Sequence, residues 1–142
     1  MPCAHAAFQA HLAPVTSMAQ VQWALAQLLR DRRIAAATHN MLAYRFIDER
    51  GVLVSDNDDD GERSSGQKIA ALLELTGAQD VLVVVSRWFG GTHLGPARFK
   101  HIATTARQLL DDAGYCRAAS GPGGAGSKGG ASGRAGGKSG KG

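Results

Sequence analysis

The chain of 142 residues has only two cysteines, Cys3 and Cys116, near opposite ends. With no C-x-x-C pair and no ligand spacing, they exclude a disulfide scaffold and a cysteine metal site, and read as free thiols of a reducing compartment. The opening MPCAHAAFQAHLAP has no basic region leading into an apolar core and no Arg-rich amphipathic pattern, so neither a secretory nor an organellar leader is expected. No apolar run approaches the roughly 18 residues of a membrane-spanning helix. The expectation is a cytoplasmic protein without membrane association. No internal repeat is visible. Acidic residues are missing beyond Cys116: eleven Lys+Arg face twelve Asp+Glu up to that point, and five face none after it. The formal charge of +4 therefore belongs to the tail, and a near-neutral fold argues against a basic nucleic-acid groove.

From Arg117 onward the chain is Gly, Ser, Ala, Lys and Arg with almost no large apolar side chain, and burial there cannot offset the entropy of ordering. Residues 6–116 are expected to form one domain and 117–142 a disordered tail. Eleven of the nineteen glycines lie in that tail, which leaves each remaining glycine interpretable as a turn or cap.

Phe8 to Ala13 alternates as a strand that Pro14 stops. Ser17 and Gln20 form a capping box, followed by Val21, Ala24, Leu25, Leu28 and Leu29 at helical spacing, so a helix is expected to end near Arg32. Met41 to Ile47 and Val52 to Val54 read as a hairpin about the polar turn Asp48 to Gly51. Ile69, Leu72 and Leu73 mark a second helix, closed by Gly77 in the left-handed conformation. Val81 to Val85 is apolar on both faces, as in a central strand. A third helix opens at Pro96 and carries Phe99, Ile102, Ala103, Ala106 and Leu110 on one stripe before Gly114. The order β-α-β-β-α-β-α predicts an α+β fold, a two-layer sandwich with the helices on one face of a single sheet.

Three polar stretches could carry chemistry. Asp56 to Glu62 matches the start of a calcium loop, but Gln67 replaces the bidentate glutamate, Arg63 the apolar anchor, and a strand precedes it where a helix is required. Its ordinary reading is a solvated acidic loop or docking surface, with no metal. Thr38-His39-Asn40 could supply a base oriented by that loop, yet no nucleophile accompanies it. A histidine bonding the loop backbone is the expectation, with a hydrolase as the outlying enzymatic alternative. Ser86 to Pro96 is a strand end, a glycine-rich turn and a helix start. Such a turn can aim N–H groups of Gly90 and Gly91 at an anion with Arg87, Arg98 and Lys100 as counter-charges, but it is neither a P-loop nor a dinucleotide fingerprint. The ordinary reading is a tight connection in which Trp88 and Phe89 seal the core; exposed, the aromatic pair would anchor a protein or stack on unpaired bases.

Taken together, FQAHLAPV at Phe8 to Val15, ATHN at Ala37 to Asn40, AYR at Ala43 to Arg45, DDGE at Asp59 to Glu62, VVVSRWFGG at Val83 to Gly91 and LGPARFKHI at Leu94 to Ile102 resemble the Impact family, which includes bacterial YigZ-type proteins. The wording is closer to the eukaryotic members, and the resemblance covers nearly all of Phe8 to Tyr115. It implies a fold similar to the second domain of a small-subunit ribosomal protein and to domain four of elongation factor G, with no enzymatic activity and no cofactor. It also implies a regulator of translation in amino-acid starvation, restraining the kinase that phosphorylates initiation factor two by competing for that kinase's ribosome-associated activator, with a link to actin. RNA or ribosome binding assisted by the basic tail is the alternative. The residues matching the family motifs, Thr38, His39, Asn40, Asp59, Asp60, Gly61, Glu62, Arg87, Gly90 and Gly91, with Trp88 beside them, are the expected functional surface. The RWD domain that precedes this unit in eukaryotic regulators and the small domain that follows it in bacterial members have no counterpart in these residues.

Overall fold

A computed structural model describes residues 7–90 and 94–116. The expected tail over 117–142, together with Ala6, Cys3 and Gly91, lies outside the described residues. The elements run β1 (Ala7–Pro14), α1 (Met18–Leu28), α2 (Arg32–Ala35), β2 (His39–Ile47), β3 (Leu53–Asp58), α3 (Ser65–Thr76), β4 (Val81–Trp88) and α4 (Ala97–Asp112). The four strands make one sheet in the order β1-β4-β2-β3, with every neighbouring pair antiparallel. The α+β class and the order of the larger elements are as the sequence predicts.

Local chemistry explains most boundaries. Ser17 accepts from the Gln20 N–H at 3.1 Å, while Gln20 Oε1 accepts from the Thr16 N–H, a capping box displaced by one residue. Asp31 caps the one-turn α2 by accepting from the N–H groups of Arg33 and Ile34. Gly77 closes α3 at φ +72° and Pro96 sits immediately before α4, one residue earlier than the expected first helical position. Val81 to Arg87 is buried throughout, because β4 is a central strand with side chains in two cores.

Those two cores lie on opposite faces of the sheet. One joins Met41, Ala43, Val81, Val83 and Val85 to Ile69 and Leu73 of α3 and Ile102, Ala106 and Leu110 of α4. The other joins Phe46, Leu82 and Val84 to Val21 of α1, with Ala24, Leu25 and Leu28 packed against it. The expected two-layer stack is thus the sheet with α3 and α4, and α1 adds a partial layer behind it. Strand directions explain why the pattern could not foretell this. β1 and β2 are parallel and joined through α1; β3 and β4 are parallel and joined through α3 in the opposite direction across the sheet. Two right-handed crossovers would place both helices on one face, so one of these is left-handed, against the usual preference.

β3 also runs further than expected. Asp56, Asn57 and Asp58 pair with Tyr44, Ala43 and Leu42, which makes the first three residues of the acidic stretch an edge strand instead of a loop. Charged side chains are suited to an edge, where they discourage pairing with another chain.

Candidate functional site

The end of the sheet where β4 finishes and β2 begins brings the three polar stretches together. His39 pairs with Arg87 in the β2–β4 register, and Phe8 pairs with Arg87 on the other side. Thr38 donates its N–H to the Arg87 carbonyl at 2.8 Å and accepts the Phe89 N–H on its hydroxyl at 2.9 Å. These bonds carry the sheet pattern one residue beyond the strands.

The Asp59–Glu62 loop is held onto this end by its own carboxylates. Asp58 accepts the Asp60 N–H at 3.0 Å, and Asp59 accepts the N–H groups of Ser64 and Gly66 at 3.0 and 2.8 Å, satisfying the start of α3. Asp60 Oδ2 accepts the Asn40 N–H at 2.7 Å. The Asp60 carbonyl lies 2.8 Å from His39 Nδ1; since a carbonyl only accepts, Nδ1–H donates to it. The expected histidine-to-backbone bond is therefore present. Gly61, at φ +86°, lies against that ring, where a Cβ would sit 3.4 Å from the imidazole.

Glu62 and Arg87 are not on the surface. They are 7% and 6% exposed and form an ion pair, and Glu62 Oε1 also accepts from Arg98 Nε at 3.1 Å. Arg87 and Arg98, expected as counter-charges for an external anion, are thus both engaged by one internal carboxylate. Lys100 is exposed on α4 and Gly90 is half-buried beside β4. Trp88 and Phe89 belong to neither core: Phe89 is 48% exposed, and Trp88 lies under the Arg33 guanidinium at 3.9 Å while its Nε1–H donates to the Arg33 carbonyl at 3.0 Å. The expectation that the aromatic pair seals the core is corrected. Trp88 is the last residue of β4, paired with Ala7 at the end of the sheet, and Phe89 follows the strand.

Several contributors carried no motif. Gly66 is one, since a Cβ there would approach the Asp58 carbonyl carbon at 2.9 Å and the Asn57 and Asp59 side-chain oxygens as closely; α3 could not start against the loop with a larger residue. Ser86, fully buried, donates to Asn40 Oδ1 and lies 2.9 Å from His11 Nε2, and Asn40 Nδ2 donates to the Ile34 carbonyl. Because the Ser86 proton goes to Asn40, His11 Nε2 donates to Ser86, so this serine is a structural bridge with no open path to a substrate. Burial, reinforced by Arg33 and opposed by Asp31, pushes the His11 pKa below its ordinary value. Cys116 is a buried free thiol whose pKa burial and Asp111 push up, which leaves it weakly nucleophilic.

An α+β domain with histidine turn, carboxylate loop and strand-end arginine locked together at one sheet end is the class that the fold defines. The sequence model of the Impact N-terminal domain matches residues 4–110, and the chain belongs to that family. It is 51% identical over 112 residues to protein IMPACT-A of Xenopus tropicalis, covering 78% of this chain and 35% of that protein. It is 50% identical over 108 residues to the IMPACT homolog of Schizosaccharomyces pombe, covering 75% and 39%, and 46% identical over 109 residues to human IMPACT, covering 76% and 34%. Among solved structures it is similar to the two-domain translational regulator Yih1, with a TM-score of 0.54, 40% identity, and coverage of 76% of this chain and 42% of that one. The chain thus spans little more than a third of the length of these curated relatives. No helix among the described residues is long and apolar enough to cross a membrane.

Proposed function

We propose that the domain is a non-catalytic regulator of translation in the cytoplasm, restraining phosphorylation of initiation factor two during amino-acid starvation through protein docking. Its target in this reading is the ribosome-associated activator of the responsible kinase. The kinship with Yih1, itself a translational regulator, supports the reading. The observation that carries it is how the polar groups at the sheet end are spent. Asp58, Asp59, Asp60, Glu62, Asn40 and Ser86 are committed to backbone or side-chain partners within the fold, and Ser86 is fully buried. Carboxylates and amides so committed make a rigid shape to be recognised, whereas a hydrolase needs an accessible nucleophile beside its base. The exposed Phe89 and half-buried Trp88 give that shape aromatic anchors. The test is capture by the tagged chain from extracts of amino-acid-starved cells, with phosphorylation of initiation factor two measured alongside. Retention of the activator with lowered phosphorylation is expected; absence of both overturns the reading.

A further inference from the structure

The two edges of the sheet are protected unequally. β3 carries the exposed Asp56 and Asp58, whereas β1, at the other edge, has no Asp, Glu, Lys or Arg among its eight residues and none that is fully buried. Val15 donates its N–H to the Asp80 carbonyl at 3.1 Å, which sets the phase of the β1–β4 ladder. Since bonded pairs alternate along an antiparallel ladder, Ala7, Gln9, His11 and Ala13 bond to β4, and Phe8, Ala10 and Leu12 turn their N–H and C=O groups outward. Pro14, which has no N–H, falls on the outward phase, where none is required. No strand among the described residues pairs with that outer side, and a bare edge of this kind is a template for another strand.

A groove borders β1 on each face of the sheet. On the open face it lies against α1 and is apolar, walled by Trp23, Leu28, Leu82 and Val84. On the other face it lies against α4, has a volume of about 460 Å³, and is lined by Thr104, Thr105, Gln108 and Leu109 beside Phe8 and Ala10. At the Gln9 end, Arg30 donates to Gln27, which lines the apolar groove, and Arg33 donates to Gln9. α1 and β1 contain no Asp, Glu, Lys or Arg, so three arginines, Arg30, Arg32 and Arg33, against the single Asp31 leave that rim at +2. Asp60 is held by Asn40 on β2, two strands away, and Asp56 and Asp58 lie at the far edge.

We infer that β1 receives an extended segment of a protein partner as a further strand, with apolar side chains at alternate positions and an acidic one at its C-terminal end. The inference is independent of the docking reading of the sheet end. Antiparallel pairing, which every neighbouring pair of this sheet adopts, runs the segment from Pro14 toward Ala7 and brings its last residue toward Arg30. Backbone bonds to Phe8, Ala10 and Leu12 supply affinity, and the grooves select side chains, apolar against Trp23 and Leu28, small and polar against Thr104 and Gln108. Other occupants match less well. A second copy paired through β1 would present its own Gln9 and His11 at the apolar groove, because residues directly opposite in an antiparallel pair share a face. Residues 117–142 contain no Val, Ile, Leu, Thr or aromatic residue and carry five basic residues against no acidic one, so they meet the Arg30 rim with repulsion.

The test is a titration of the full chain with a blocked heptapeptide that alternates valine and threonine and ends in glutamate on the valine face, followed by NMR and amide hydrogen exchange. Saturable protection of the Phe8, Ala10 and Leu12 amides is expected, with a several-fold weaker response to the glutamine-ended peptide. The same peptide N-methylated at its threonines, whose N–H groups face β1 in this register, should bind roughly tenfold more weakly or worse. Ala10→Pro should weaken binding as strongly, Trp23→Ala several-fold, and the exposed Leu75→Ala on α3 not at all. Arg30→Gln should abolish the preference for glutamate, and added salt should diminish it. No saturable response, equal binding of the N-methylated peptide, equal affinity for the two peptide ends, or unchanged binding by Trp23→Ala overturns the proposal; these arms decide the matter even where Ala10→Pro does not fold. Protection of the three amides before any peptide is added overturns it as well, in favour of a second copy where protection rises with chain concentration and of the chain's own residues where it does not.

Discussion

The two faces of the sheet are built to different standards. Beneath α3 and α4, Met41, Ala43, Ile69, Leu73, Val83, Val85, Ile102, Ala106 and Leu110 are all fully buried. Beneath α1 the buried set is Val15, Val21, Phe46, Leu82 and Val84, and a groove of about 320 Å³ remains between α1 and β1, bordered by His11, Leu28 and the 66%-exposed Trp23. The sealed face also holds the Glu62 ion pairs, while the open one holds the His11–Ser86 bridge. A polar cluster can sit inside a core when close packing fixes its partners, as it does for Glu62 on the sealed face and for the fully buried Ser86 on the open one.

This contrast can be broken by mutation. Ile102→Ala on the sealed face should cost about 2–5 kcal/mol in urea unfolding, since its surroundings cannot collapse into the cavity. Glu62→Gln should cost on the order of 3 kcal/mol by leaving two guanidiniums without their anion. On the open face, Val21→Ala should cost roughly 1–2 kcal/mol, the transfer value of the lost methyl groups, because α1 can settle toward the groove. A Val21→Ala cost equal to that of Ile102→Ala would erase the distinction. The smallest effect is a pH dependence. The lowered His11 pKa means that the unfolded chain binds its proton more readily than the folded one. Stability is therefore fully present above the ordinary histidine value of about 6.5 and declines as pH falls below it toward the folded-state value. Urea midpoints at pH 7.5 and 5.5 should differ less in His11→Gln than in the parent chain, and an unchanged difference would contradict the role given to burial.

The sheet's contents were largely legible because alternation and helical spacing report burial directly. Val81 to Val85 announced a two-sided strand, and Ile69, Leu73, Ile102, Ala106 and Leu110 announced the faces of α3 and α4. The side chosen by α1 was not legible, since crossover hand leaves no trace in periodicity. α2 was missed because a single turn burying only Ile34 has no period to detect. Asp56 to Asp58 looked like loop because carboxylates on an edge strand need no apolar alternation. At the site, the structure brings His39, Asp60 and Arg87 to one end, a convergence that the order of the motifs left open. That order could not say that Arg98, 36 residues from Glu62, would share its carboxylate, because that pairing depends on where α4 starts relative to the loop. Gly66 could have been suspected: a glycine in the first turn of a helix, close after a run of aspartates, signals a backbone approach that forbids a side chain.

The unit at the sheet end depends on one buried carboxylate serving two cations, and a double-mutant cycle in urea between Glu62→Gln and Arg98→Gln tests that most directly. The double variant should be more stable than the sum of the single effects predicts by on the order of 1 kcal/mol, because removing Arg98 relieves the repulsion that the loss of Glu62 creates. Strict additivity, with each substitution costing the same whether or not the other is present, would contradict it.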